Sequence, residues 1–187
     1  MKTIRKNMVS LFLIFGFFWI STNSYSQDIK LTRQERKEVR KAQMAANFNI
    51  LDSLLNTKSF VLEADFLRNT YGYRIPVIPS LNFIKVNDQS GILQTGSAVS
   101  MGYNGVGGVT AVGSIGNWKI NKNVKQLSYT IQFSILTQIG HYDVLLMVSS
   151  DNHATATISG LLPGKLTWEG HLETIYNSRI FKGQNTI

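Results

Sequence analysis

His153-Ala-Thr-Ala-Thr-Ile-Ser-Gly-Leu-Leu-Pro-Gly-Lys-Leu-Thr-Trp-Glu-Gly-His-Leu-Glu173 is the stretch on which the fold turns. Leu166, Trp168, Gly170 and Leu172 alternate with Lys165, Thr167, Glu169 and His171, the period of a strand with one buried face. Gly160 to Gly164 supplies the turn. Folding the stretch on that turn sets small Ala156 opposite bulky Trp168 and Ile158 opposite Leu166, a core face of complementary volumes. On the outer face Thr155 meets Glu169, and His153 meets His171.

The same period extends backward through the chain. Phe60, Leu62, Ala64 and Phe66 alternate with Val61, Glu63 and Asp65, and Tyr129, Ile131, Phe133 and Ile135 alternate with Thr130, Gln132 and Ser134. In 142–149 both sets are apolar, Val144, Leu146 and Val148 against Leu145 and Met147, so the inner face stays open there. Turn signals fall at Asn87–Gly91, Asn121–Asn123 and Ser150–Asn152. The runs 59–66, 73–78, 81–87, 91–98, 109–120, 127–136, 142–149, 153–159 and 165–173 give about eight or nine strands, with no helical pattern between them. Short links favour an antiparallel up-and-down meander. A sheet of this width hides its edges as a β-barrel or, alternatively, a β-sandwich. Pro76 and Pro79 place 73–79 at an edge or corner.

Before the strands the period changes. Leu31–Asn56 reads as a helix opened by a capping box, Thr32 with Glu35. Val39, Ala42, Ala46, Ile50 and Leu54, widened by Leu51 and Leu55, form the expected buried stripe. Its first half is solvated and basic. A helix packed across a barrel mouth competes with one touching anionic lipid or a partner, and interruption by Glu35 and Glu38 favours the first.

Met1–Ser26 has the layout of a secretory signal: Lys2, Arg5 and Lys6, then the apolar Met8–Ile20, then a polar stretch with cleavage expected between Ser26 and Gln27. The apolar run rises about 20 Å as a helix, short of the ~30 Å hydrocarbon core, so a retained anchor is the weaker alternative. The expected organisation is a signal peptide over 1–26, an N-terminal helix over 27–58 and a β-barrel domain over 59–187. The expected destination is periplasmic or secreted, with no membrane span in the mature chain. The sequence has no cysteine, which removes a lipid-bearing residue, disulfides and thiolate chemistry. The net charge of +8 resides mostly in the signal and the helix, not on the β body, against a nucleic-acid partner.

Chemistry-bearing motifs are sparse. Gly102-Tyr-Asn-Gly-Val-Gly-Gly108 lacks a following Gly-Lys-Ser/Thr and any helix behind it, so its glycines read as turn and bulge residues. His153 and His171 are the candidate metal pair, with Glu169 or Glu173 to assist, but two imidazoles on a hairpin are ordinarily solvated surface. No Gly-x-Ser-x-Gly elbow is present, and no catalytic or cofactor-binding residue emerges. Ile180 and Phe181, close together near the end of the sequence, read as a plug closing one end of the β body, with Arg179 and Lys182 in solvent.

Ser59-Phe-Val-Leu-Glu-Ala-Asp65, Asn82-Phe83, Asn104-Gly-Val-Gly-Gly108, Ala154-Thr-Ala-Thr157 and Ser178-Arg-Ile-Phe-Lys-Gly183, in this order, resemble the domain-of-unknown-function family numbered 4251, over roughly residues 45–183. The resemblance implies an exported protein of Bacteroidota with a lipocalin-like antiparallel barrel. It implies no activity and carries over no site residues. Many relatives resemble lipoproteins, whereas this chain lacks the cysteine. The functional expectation is a noncatalytic binding or envelope-interaction domain. Within that class, a small apolar ligand inside the barrel competes with a protein or glycan partner outside it. An enzyme of unidentified type and a purely structural envelope component are the alternatives.

Overall fold

The computed structural model describes residues 31–99, 101–161 and 164–186; the signal reading and its Ser26–Gln27 junction lie outside them. Two compact units divide the chain, Met1–Lys37 and Glu38–Ile187. The described elements are α1 (Arg33–Asn56) and the strands β1 (Ser59–Arg68), β2 (Arg74–Pro76), β3 (Phe83–Asn87), β4 (Ser90–Gln94), β5 (Thr110–Asn123), β6 (Ser128–Thr137), β7 (Gly140–Ser149), β8 (His153–Leu161) and β9 (Gly164–Glu173). In the first unit the capping box forms as read: Thr32 N donates to Glu35 Oε2 at 2.7 Å, and Glu35 N to Thr32 Oγ1 at 3.3 Å.

In the second unit β3 to β9 pair in sequence order, each antiparallel to the next, and β1 pairs with both β3 and β9. The last pairing, Val61↔Glu173 through Arg68↔Thr167, closes the sheet into an eight-stranded barrel and decides against a sandwich. β2 stands outside the ring. It adds to the far half of β1 where β3 has left it, and its Pro76 suits such an edge. The β8–β9 register is the expected one, with Ala156↔Trp168, Ile158↔Leu166 and His153↔His171. The ambiguity in β7 resolves toward Val144, Leu146 and Val148, which are buried, while Met147 faces solvent.

Two readings need correction. β5 runs to Asn123, and the turn follows it rather than occupying Asn121–Asn123. Asn123 does serve as a turn residue, its Oδ1 accepting from Gln126 N, but it opens the turn and also pairs with Ser128. The helix stripe is also rotated from expectation. Val39 and Ile50 are 55% and 58% exposed, and the buried face is Phe48 together with Leu51 and Leu55, the two residues expected at the margin of the stripe. Two apolar stripes compete on this helix, and the one carrying an aromatic ring removes more apolar surface from water. Phe48 stacks on Tyr129 at 4.8 Å between ring centroids. Beside them Asp52 Oδ1 accepts from Tyr129 Oη at 2.6 Å and from Lys122 Nζ at 2.8 Å. These bonds hold the Asp52 carboxyl below the usual carboxylate range, Lys122 contributing most, while burial pushes the Tyr129 phenol up. The second half of α1 thus closes the barrel end where β1 begins.

Candidate functional site

A ligand-carrying barrel needs a lumen, and side chains fill this one. Phe60, Leu62, Ile84, Ile131, Tyr129 and Trp168 are among the inward residues with less than 2% of their surface open. Room for the Trp168 indole comes from small neighbours: Ala156 lies opposite it, and the next inward row is Ala64–Gly170–Ala154. A Cβ on Gly170 would run into the Glu63 carbonyl oxygen, so backbones as well as side chains are close here. Among the described residues the indole Nε1 has no hydrogen-bond partner.

The histidines sit on the outer wall. His153 and His171 are cross-strand neighbours, and His171 Nδ1 lies 3.4 Å from Asp65 Oδ2. Glu169 is not free to join them, because its carboxylate holds Arg68 Nε at 3.2 Å and Arg74 Nε at 2.7 Å, with the Arg74 guanidinium 3.4 Å above the Phe66 ring. No group of three His, Cys, Asp or Glu residues that could hold a metal ion occurs among the described residues. Ser149, Asp151 and His153 adjoin, but the arrangement is a turn rather than a nucleophile with its base: Asp151 Oδ1 accepts from Ser149 Oγ and from the backbone N of His153. The serine bond is the main reason the Asp151 carboxyl is held low.

On the outer wall of β5–β9 lies a cleft of about 350 Å³, lined by Lys119, Gln132, Asp143, Leu145, Thr157 and Lys165. Lys119 and Asp143 are exposed, and the cleft holds no buried polar group to orient a ligand. Exposed apolar side chains gather elsewhere. Tyr71 and Tyr73 occupy the β1–β2 link, Met101 and Tyr103 the β4–β5 link, and Tyr71 and Tyr103 are 86% and 87% exposed. Both links leave the barrel away from α1. The second is rigidly built. Buried Asn104 accepts from Val106 N and Gly108 N with its Oδ1, and donates from Nδ2 to Thr95 O and Thr110 Oγ1. Those amides are therefore occupied, as a turn reading of the glycines requires, and Gly102, Gly105 and Gly107 all have positive φ.

The most elaborate polar arrangement lies on the opposite wall. Glu63, Phe83, Gln94 and Thr110 are successive cross-strand partners on β1, β3, β4 and β5, pointing away from the lumen, yet all four are buried. Residues 178–186 cross them as a strap. Ser178 Oγ and Arg179 N donate to Glu63 Oε1 at 2.6 and 3.2 Å. Gln94 Nε2 donates to Phe181 O, and Gly183 N to Gln94 Oε1, both at 2.8 Å. Phe181 N reaches Ser80 O, Gln184 N reaches Asn104 O, and Thr186 N reaches Thr110 O. This corrects the plug reading: Phe181 is 61% exposed, and the segment is held by its main chain along the wall, not by its aromatic ring in an end.

The family model described as "Domain of unknown function (DUF4251)" matches residues 42–172. The chain belongs to the DUF4251 family. A crystal structure of a DUF4251 family protein from Bacteroides eggerthii is 30% identical and superposes with a TM-score of 0.62, covering 74% of this chain and 96% of the other. No curated protein matches the sequence.

Four of the five segments that carry the DUF4251 resemblance meet at the strap. Glu63 accepts from Ser178 and Arg179, Gly183 donates to Gln94, Asn104 braces Thr110, and Asn82 ties Ile78 O and the Gly96 backbone beside Phe83. The strap itself follows the matched residues 42–172. Gln94 and Thr110, which lie under the strap, gave no sign of it in the sequence. A glutamine and a threonine at outward strand positions carry no signal that something will cover them.

Proposed function

We propose that the chain is exported by a signal peptide cleaved between Ser26 and Gln27, and acts in the periplasm or outside the cell as a noncatalytic interaction domain that holds a protein partner. The observation that carries this reading is the combination of a filled lumen with exposed Tyr71, Tyr73, Met101 and Tyr103 on links at one end. Tyrosine, methionine and arginine are the residue types enriched at the centres of protein interfaces, and Arg68 and Arg74 stand beside the first link. A lipocalin-like carrier of a small apolar ligand is the weaker reading, since the inward side chains leave no chamber for it. Among the described residues no helix is long and apolar enough to cross a membrane.

A photoreactive amino acid placed at Tyr73 or Tyr103 in the native cell tests the reading, with the outward Thr155 as control. Adducts with one protein at the first two positions and none at Thr155 are the expected result. Adducts at Thr155 alone, or retention of the purified chain on a glycan surface that survives loss of these tyrosines, would overturn it. Mass spectrometry of the mature N-terminus tests the cleavage, and an intact Met1 would refute it.

A further inference from the structure

We infer that the β1–β2 arm is an acid-reading contact: Arg68 and Arg74 receive the carboxylates of an acidic segment of the protein partner, and Tyr71 and Tyr73 pack on that segment. The inference rests on the protein-partner reading above and names the chemistry of its contact. β2 contributes nothing to barrel closure. It stands outside the ring, and Arg74, Ile75 and Pro76 are all exposed. The tip of the arm is nevertheless ordered. Asn69 Oδ1 accepts from Tyr71 N and Tyr73 N, both at 3.0 Å, Asn69 N donates to Tyr73 O, and Gly72 N donates to Asn69 O. A turn fixed in this way presents two tyrosine rings to solvent with little backbone left to order on binding.

The arginines are placed against simple pairing rules. Arg68 and Arg74 are direct cross-strand partners, and like charges in that position repel. Glu169 bridges them, taking Arg68 Nε at 3.2 Å and Arg74 Nε at 2.7 Å. One carboxylate against two guanidinium groups leaves a positive charge uncompensated, and Asp65, one position before Phe66, lies against His171 instead. Both contacts use Nε. Among the described residues the Nη groups make no hydrogen bond, and the arginine side chains are 44% and 47% exposed. The Phe66 ring, 3.4 Å from the Arg74 guanidinium, fixes the plane of that group. A guanidinium held in plane with its outer N–H groups free matches a second carboxylate, which accepts from two parallel donors. A neutral or basic segment would leave the extra charge unpaired.

The probe is fluorescent hexaglutamate, followed by anisotropy against the full-length chain, with hexaglutamine as the neutral comparison. Hexaglutamate is expected to bind wild type about tenfold or more tighter than hexaglutamine. Arg68→Gln combined with Arg74→Gln should weaken hexaglutamate about tenfold or more, whereas Arg40→Gln with Lys41→Gln on α1, which removes the same charge, should change it less than about threefold. Glu169→Gln breaks the same two ion pairs but takes away the competing carboxylate, so it should tighten hexaglutamate about threefold or more. A cluster that served stability alone would not move binding in opposite directions in these two variants. Should the double arginine variant lose its fold by near-ultraviolet circular dichroism, Glu169→Gln decides. No preference for hexaglutamate, equal losses in the arm and helix variants, or weaker binding by Glu169→Gln would each overturn the inference. A photoreactive amino acid at Tyr73 in the native cell separates this inference from the reading beneath it. Protein adducts that disappear with Arg68→Gln and Arg74→Gln are the expected result. Adducts that persist undiminished overturn the acidic contact and leave the protein partner standing, and no protein adduct from the unaltered arginines overturns both.

Discussion

β7 carries Tyr142, Val144, Leu146 and Val148 into the core and leaves His141, Asp143 and Met147 in solvent, whereas β1 buries Phe60, Leu62 and Ala64 on one side and Val61 and Glu63 on the other. Both strands alternate in their letters. The difference lies in what covers the outer side: water over β7, the strap over β1 and its neighbours. A barrel wall facing water needs only one apolar face and tolerates almost any polar residue on the other. A wall that is covered needs a partner for each polar group it buries, which is why Glu63, Gln94 and Thr110 are each hydrogen-bonded. The first half is held by volume and the second by hydrogen bonds, and the two should fail differently.

The largest effect belongs to volume. Trp168→Ala removes the bulkiest fully buried side chain from among Ala156, Ala154 and Gly170, which are too small to collapse into the space. It should cost about 3–5 kcal/mol, read from the midpoint of urea unfolding. Among the described residues Nε1 has no partner, so the loss is one of volume rather than of a hydrogen bond between them. A loss below about 1 kcal/mol would mean that the β8–β9 side of the core is loosely filled, and the contrast between the halves would dissolve.

Gln94→Ala acts on the covered half. It removes the group that bonds Phe181 O, Gly183 N and Thr110 Oγ1, and should cost about 1–3 kcal/mol. Hydrogen exchange sharpens the comparison further than the total does. The amides of Gly183, Gln184 and Thr186 should lose protection, while those of Val144 and Leu146 keep theirs. If all five lose protection together, strap and wall form one cooperative unit and the division between the halves is wrong.

The same division explains which parts of the molecule were legible in the letters. Alternation with one wet face gave the β8–β9 register residue by residue, because shifting a strand by one would expose Trp168 and bury Glu169. Strand number required only that so wide a sheet hide its edges, which left barrel and sandwich open, and the β1–β9 pairing decided for closure. The helix face was read only in part: Leu51 and Leu55 are buried as expected, but Val39, Ala42, Ala46 and Ile50 are exposed, because Phe48 offers a competing stripe at the same period and the position of Tyr129 decides for it. The strap was legible only as a segment that packs on the β body with Arg179 and Lys182 in solvent. Most of its contacts are main-chain, apart from the hydroxyls of Ser178 and Thr186, so few residue types announce them, and Gly183 meets Gln94 across eighty-nine positions of sequence. The aromatic links were visible as composition, but their exposure depends on the lumen being already full.

The smallest expected effect discriminates most sharply between a strap and a plug. A phenylalanine closing a barrel end would cost about 3–5 kcal/mol when cut to alanine. Here the N–H of Phe181 donates to Ser80 O and its C=O accepts from Gln94 Nε2, both bonds that alanine makes equally well, and the ring is mostly in water. Phe181→Ala should therefore change stability by no more than about 0.5 kcal/mol, a shift of about 2 °C or less in thermal melting for a chain of this size. Gly183→Val, two positions along the same segment, should lower the melting temperature by more, although it adds apolar volume, because its Cβ meets Asn104 O. That order, with the larger penalty for the change that adds atoms rather than removing them, follows only if the backbone and not the aromatic ring fastens the segment. The reverse order would restore the ring as the fastening and place its burial somewhere this wall does not provide.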